Sequence, residues 1–304
     1  MSGVNQWDAE WEVSVELASK LIRRQFPQLA SKNVEILGNG WDNTVFLVGE
    51  ECIFRFPRRE VSKKLIQLEG KILPMLEGYF SIPYPIPLFY GESDKEYPSP
   101  FLGYPFLTGK TPVDISDYKR SQSAVILAQF LKGLHAFPVD IAREHGVQLD
   151  QRNLLDIASR KEKLLKTIYD MAPHFTKDEY KEISTYLQQL KRESVRPKSV
   201  LLHGDLHFKN ILVDDSEKIS GIIDWGDINI GHPGCDLSVV YSFLPPEARV
   251  TFFEVYGDID EETRELARLI AVYIPFMILM QAIDEKDERI IKEAKATIKR
   301  SLAD

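Results

Sequence analysis

Asp205, Asn210 and Asp224 are the residues whose types and spacing point most directly to chemistry. Asp205 and Asn210 lie in His203-Gly204-Asp205-Leu206-His207-Phe208-Lys209-Asn210, a polar stretch set between the apolar runs Val200–Leu202 and Ile211–Val213. Fourteen residues after Asn210, Asp224 follows Ile222-Ile223 and precedes Trp225-Gly226-Asp227. Polar residues held between buried strands sit on a rigid platform. One carboxylate can then act as a base, while an amide and a second carboxylate offer hard oxygen ligands. Mg²⁺ takes few protein oxygens and completes its shell with waters and substrate phosphates. Phosphoryl transfer needs such a set, because its catalysis is mainly positioning and charge neutralisation. A zinc site built on His203 and His207 is the competing reading. No further His cluster supports it, and His232 stands alone beside Pro233.

The flanking pattern shows what must hold these residues. Trp7, Trp11, Val15, Ala18 and Leu21 recur at helical spacing and predict a first helix closed by Pro27. Short β-prone runs at 34–37, 44–48 and 52–56, joined by Gly38-Asn39-Gly40 and Gly49-Glu50-Glu51, predict an antiparallel meander. A helix follows through Leu65, Leu68, Ile72 and Leu76, then an extended Pro83-to-Pro87 stretch leads to a strand at 88–90. The Pro- and Gly-rich stretch from Pro98 to Pro112 carries Phe101, Tyr104 and Phe106, which reads as a tight crossing between two lobes. Beyond it, helices are expected over 121–136, 154–169 and 176–190, the last opened by a Thr176/Glu179 capping box. A β-rich interruption at 200–225 precedes helices over 262–283 and 288–302. The plan is α+β and two-lobed: a small β-rich N-lobe with hinge over 1–106, and a large mainly helical C-lobe over 107–304.

Composition sets the outer bounds. With 304 residues, 44% of them hydrophobic and 28% charged, the chain is long and apolar enough to bury a core without staples. A formal net charge of -8 argues against a general nucleic-acid binder. Two isolated cysteines, Cys52 and Cys235, are expected as reduced, buried thiols rather than a disulfide framework. The N-terminus lacks the basic and apolar regions of a signal peptide, and the Ala271–Met280 apolar run falls short of the ~20 residues of a membrane span. A cytoplasmic, monomeric protein without a membrane partner is the expectation.

Taken together, these motifs resemble the aminoglycoside phosphotransferase family, a branch of the protein-kinase-like fold that includes macrolide phosphotransferases and small-metabolite kinases. Asp205-x-x-x-x-Asn210 looks like that fold's catalytic loop, and Asp224 stands where its metal-binding Asp is kept. The resemblance implies that Asp205 orients and deprotonates an acceptor hydroxyl, and that Asn210 and Asp224 coordinate Mg²⁺. It implies that Asp236 braces the catalytic loop from below. Gly38, Gly40, Asn43 and Thr44 resemble the nucleotide loop, with Asn43 where a protein kinase has its third glycine. Arg55 falls at the family's phosphate-binding cation and Glu69 at its carboxylate partner. Arg is not a neutral swap for Lys, because it binds oxygens bidentately. Tyr104 would be the gatekeeper, with Phe106 and Leu107 in the hinge that meets the purine of GTP or ATP. A bulky gatekeeper resembles members that prefer GTP.

Several residues carry plainer expectations. His203 would make structural hydrogen bonds beneath the loop and His207 would face solvent. Arg58, Arg59, Lys63 and Lys64 form a basic run that reads as a solvated face or as an attractor for a nucleotide. For the acceptor, the apolar stretch Tyr273–Met280 reads as a buried helix or as the wall of a macrolide site. The acids Asp258, Asp260, Glu261, Glu262, Asp284, Glu285, Asp287 and Glu288 read as helix starts or as a site for a cationic aminoglycoside. The family reading favours a small-molecule antibiotic kinase, macrolide slightly ahead. A kinase of choline, homoserine or a sugar amine, or a nucleotide-binding module without turnover, are the alternatives.

Overall fold

Residues 9–40 and 42–303 are described by the computed structural model, so Trp7 and Trp41 lie outside the described residues. The chain divides into two compact units. The first holds the described residues up to Glu77 together with Pro83–Thr108; the second holds Gly78–Ile82 and the described residues from Gly109 onward.

In the first unit, β1 (Val34–Asn39), β2 (Asn43–Val48), β3 (Cys52–Pro57), β4 (Phe89–Gly91) and β5 (Phe101–Pro105) form one antiparallel sheet in the order β1-β2-β3-β5-β4. The expected meander is its first three strands. Strand alternation puts Phe54 and Phe56 into the core and sends Arg55 to the other face. Phe56 stacks on Phe101 with ring centroids 4.3 Å apart, a geometry worth about 1 kcal/mol beyond area burial.

Helix α1 (Val15–Gln25) begins later than its periodicity predicts. The Ser14 hydroxyl accepts the Leu17 N–H at 3.2 Å and sets the start, leaving Trp11 ahead of the helix. The Trp11 indole N–H instead donates to the Pro57 carbonyl at 2.6 Å. Helix α2 (Glu60–Ile72) packs on β3 and β5 and ends in a 3-10 turn at Leu73–Leu76. Its buried positions Ser62, Ile66 and Glu69 lie on one face, which turns a carboxylate toward the sheet.

The second unit is mainly helical. It contains α3 (Asp117–Ser121), α4 (Ala124–His135), α5 (Val139–Glu144), α6 (Ile157–Asp170) and α7 (Lys177–Gln189), then β6 (Val200–Leu202), β7 (Ile211–Val213), β8 (Ile219–Ile222) and β9 (Asn229–Gly231). It closes with α8 (Gly234–Phe243), α9 (Pro246–Tyr256), α10 (Glu261–Glu285) and α11 (Glu288–Leu302). The Thr176/Glu179 capping box is present at the start of α7. Sequence periodicity missed α8 because every one of its residues is buried, so no polar face marks the helical repeat.

Helix α10 runs unbroken through Pro275 and packs against α8 and α11. It is long and apolar enough to cross a membrane, yet its apolar residues mostly belong to the core of this unit. Cys52 and Cys235 are buried free thiols.

Candidate active site

Two ladders position the loop 203–210 of the second unit. β6 pairs with β9 and β7 with β8, so residues 203–210 leave one buried strand and enter another. Asp236, fully buried in the first turn of α8, reaches up to the loop. Its Oδ2 accepts the His203 N–H at 2.8 Å and its Oδ1 the Gly204 N–H at 3.1 Å. Burial alone would raise the Asp236 carboxyl. The His135 hydrogen bond and the Gly204 N–H outweigh it and hold the group below its usual range.

Gly204 has φ of 87°, and a Cβ there would come 2.1 Å from the Asp227 carbonyl, so the turn requires glycine. His203 is buried and its ring is spent: Nε2 donates to the Ile223 carbonyl at 3.0 Å while Nδ1 accepts the Asp205 N–H at 3.3 Å. Trp225 packs on it with ring centroids 4.7 Å apart.

The loop delivers Asp205 with its side chain 37% exposed. The Asn210 Nδ2 donates to the Asp205 carbonyl at 2.8 Å and to its Oδ2 at 3.3 Å. His207 does not face solvent as expected. Its Nδ1 accepts the Lys209 N–H at 3.2 Å, which puts the ring proton on Nε2, 3.3 Å from Asp205 Oδ2. Burial would raise the Asp205 carboxyl. The His207 hydrogen bond and the charge of Arg152 outweigh it and hold the group down at about 2.

Asp224 is brought beside Asn210 by its neighbour, since Ile223 donates its N–H to the Asn210 carbonyl at 3.0 Å. Asp224 itself is exposed and has φ of 62°, a left-handed conformation that costs a non-glycine residue about 1–2 kcal/mol. Strain of this kind persists where the surroundings over-determine it, and it clusters at functional sites.

Asp227 lies three residues beyond Asp224. Its carboxyl is pushed up by burial and by the charges of Asp205 and Asp224, which places it electrostatically within their group. Among the described residues, no cluster of three or more His, Cys, Asp or Glu has the makings of a metal-binding group.

The first unit carries a second constellation. The Arg55 guanidinium donates to both carboxylate oxygens of Glu69, at 2.8 and 3.0 Å, and the Tyr104 hydroxyl donates to Glu69 Oε1 at 3.0 Å. Glu69 and Tyr104 are almost wholly buried. Burial first, then the Glu69 charge, pushes the Tyr104 phenol well above its usual range and keeps it a donor. Tyr104 therefore braces the ion pair, and its hydroxyl is already committed.

Of the expected nucleotide-loop residues, Gly38 and Gly40 are exposed. Asn43 and Thr44 belong to β2 with buried side chains. After β5, the Phe106 N–H is spent on the Glu51 carbonyl at 2.7 Å, while Leu107 has no backbone partner for its N–H among the described residues.

The basic run is mostly paired. Arg58 binds the Gly40 carbonyl at 2.9 Å, Arg59 pairs with Asp42, and Lys63 pairs with Glu60 at 2.6 Å. Only Lys64 of the run is an exposed cation without a described ion pair.

The acidic residues around α10 and α11 are largely structural. Asp260 caps α10 and binds Lys198 at 2.7 Å, Glu262 binds Arg196 at 3.1 Å, and Asp287 caps α11. Along the apolar stretch, Tyr273, Ile274 and Met277 are half-buried against the core and Met280 is exposed.

A model described as the phosphotransferase enzyme family matches residues 33–270. An uncharacterised protein of Bacillus subtilis (strain 168), YcbJ, is 28% identical over 101 residues, 32% of this chain and only 33% of that protein's length. Among solved structures, the GDP complex of aminoglycoside 2'-phosphotransferase-IIIa superposes with a TM-score of 0.67 at 23% identity, covering 95% of this chain and 99% of that one. The streptomycin–ATP complex of APH(2")-IIa gives 0.58 at 19% identity, with 97% and 100% coverage. The macrolide 2'-phosphotransferase MphH from Brachybacterium faecium gives 0.52 at 19%, with 88% and 91%. At these identities the likeness is one of fold: a mixed α+β chain with a small antiparallel sheet followed by a helical C-terminal part.

Proposed function

Because the chain belongs to the phosphotransferase enzyme family, we propose that it moves the γ-phosphoryl group of GTP or ATP to a hydroxyl of a small-molecule antibiotic. The observation that carries this reading is the Asp205 carboxylate, held by His207 and Asn210 on a loop pinned by Asp236.

Asp205 is ionised at neutral pH and weakly basic, so its first task is to accept and aim the acceptor O–H. The proton passes to Asp205 as the acceptor oxygen bonds to the γ-phosphorus and the bond to the β-phosphate oxygen breaks, releasing the nucleoside diphosphate. Arg55, held by Glu69 and Tyr104, presents a fixed guanidinium to phosphate oxygens. The Leu107 N–H is a donor for the purine.

The donor set near Asp205 fits a hard cation. Asn210 spends its Nδ2 on Asp205, leaving Oδ1 to meet a cation, and the exposed Asp224 carboxylate stands one residue from the Ile223–Asn210 hydrogen bond. When bound there, Mg²⁺ would neutralise phosphate charge.

For the acceptor, a macrolide is favoured over an aminoglycoside. Of the acids that would attract a polycation, Asp260, Glu262 and Asp287 are spent on helix caps and ion pairs, while α10 retains a half-buried apolar flank. A panel of macrolides, aminoglycosides and amino alcohols, each with GTP and with ATP, tests the whole reading by mass spectrometry. A gain of about 80 Da on one acceptor class is the expected result, the mass of one transferred phosphoryl group. Gain only on an amino alcohol would replace the antibiotic with a metabolite.

A further inference from the structure

The stretch from Gly146 to Asn153 shows no helical or strand periodicity and precedes the helix expected from Leu154. In the structure it adds an edge to the catalytic platform. The Ile230 N–H donates to the Gln148 carbonyl and the Asp150 N–H to the Ile230 carbonyl, both at 2.9 Å, so residues 148–150 line the side of β9 away from β6.

Asp150 then turns the chain, accepting the Arg152 N–H at 2.9 Å. It also takes the Arg152 side chain in a forked ion pair, Nε to Oδ1 and Nη2 to Oδ2, both at 2.8 Å. This fork leaves Nη1, which reaches the Gly204 carbonyl at 2.5 Å. Arg160 closes the arrangement by donating to the Arg152 carbonyl at 2.8 Å while lying over the Tyr273 ring.

We propose that Arg152 is a positioning residue for the catalytic turn, clamping the Gly204 carbonyl so that Asp205 is presented in one orientation. The proposal rests on the reading of Asp205 as the base. Gly204 needs such a clamp, because a glycine with positive φ is the most freely rotating link in the loop. Asp236 holds the Gly204 N–H, Arg152 the Gly204 C=O and His203 Nδ1 the Asp205 N–H, so the peptides on both sides of Gly204 are fixed. Planar geometry explains the residue type. A guanidinium can bind a carboxylate with one edge and still donate from its remaining nitrogen, which an ammonium does less well.

The test compares wild type with Arg152→Ala, Arg152→Lys and Asp150→Asn. Turnover of Mg·ATP and Mg·GTP is measured with and without the acceptor found in the panel, and amide hydrogen exchange is followed in the peptide spanning 203–206. Misplacing a reacting group by about 1 Å costs up to ~100-fold. Arg152→Ala is therefore expected to lower kcat roughly 10- to 100-fold with the KM for nucleotide within about twofold. Exchange at 203–206 should quicken while the rest of the protein is unchanged. Arg152→Lys and Asp150→Asn should fall between, and millimolar guanidinium should restore part of the activity of Arg152→Ala.

Unchanged kcat and unchanged exchange in Arg152→Ala would overturn the proposal. So would equal loss in kcat and nucleotide binding together with a general rise in exchange, which marks a merely structural residue. If Arg152→Ala does not fold, Arg152→Lys and Asp150→Asn decide on the same two readouts. A wild type that turns over no nucleotide would refute the functional reading, and the exchange comparison would still show whether Arg152 holds the turn.

Discussion

Asp236 and Gly204, 32 positions apart in the chain, meet through a 3.1 Å hydrogen bond from the Gly204 N–H to a carboxylate with no solvent exposure. The same carboxylate takes the His203 N–H, so one buried side chain sets the entry to the catalytic loop. Asp236→Asn keeps the shape but turns one acceptor into a donor facing an N–H. Leaving that group unsatisfied should cost about 1–3 kcal/mol of stability. Urea denaturation read by circular dichroism, alongside kcat, checks this; equal stability and activity in the variant would show the brace to be dispensable.

Asp205→Ala should lower phosphoryl transfer by roughly 100- to 10,000-fold while the affinity for nucleotide stays near wild type. Isothermal titration with a non-hydrolysable GTP or ATP analogue separates the two effects. Retained turnover refutes the base assignment.

Asp224→Ala should relieve backbone strain only in part and remove a cation ligand. The expected outcome is nucleotide binding that no longer responds to Mg²⁺, measured by titrating the analogue with and without the metal. A wild-type response to Mg²⁺ would remove Asp224 from the ligand set.

In the first unit, Glu69→Gln removes the Glu69 charge from beside the Arg55 guanidinium. Breaking a pair this buried should cost about 3 kcal/mol. Tyr104→Phe loses a single hydrogen bond to the same carboxylate and should cost about 1.5 kcal/mol. Chemical denaturation of both variants and of the double variant checks the order, and strict additivity would argue that the three groups do not act as one unit.

His232 makes acid a threat to the fold. Its Nδ1 accepts the Gly234 N–H at 3.1 Å, so a proton there breaks a buried bond. Burial, with the Lys198 charge, lowers its pKa to about 4 from the ordinary 6.5, against the opposing pull of Asp260 and Glu262. The neutral form is favoured in the folded state. Its contribution is therefore complete above pH 6.5 and is lost as pH falls from 6.5 toward 4. By linkage the loss between pH 7 and pH 5 is about 2 kcal/mol. His232→Asn supplies an acceptor that does not titrate, and should flatten the stability difference between those pH values by that amount. An identical pH profile in the variant would assign the acid sensitivity elsewhere.

How far the chain could be read from its residues depended on the range over which each feature is specified. The capping box at Thr176, the meander through β1–β3 and the helices α7, α10 and α11 follow from neighbours within a few positions, and they were legible. The first helix was misjudged because periodicity carried Trp11 along, whereas the Ser14 cap decided the start. Helix α8 escaped notice because a helix buried on every side loses the polar stripe that reveals its period.

By itself the sequence determined the candidate residue types and their order: Asp205, Asn210 and Asp224 on loops between buried strands, with Arg55 and Glu69 on a strand and helix ahead of them. Only the tertiary structure decided which neighbours give those residues their properties. His207 turned inward to Asp205, Tyr104 was bound to Glu69, and Arg152 came to clamp Gly204 from 52 positions away. The physical reason is that residue spacing prescribes local backbone geometry. The hydrogen bonds that fix a turn or depress a carboxyl pKa are made by whichever distant segment the packed core brings within about 3 Å.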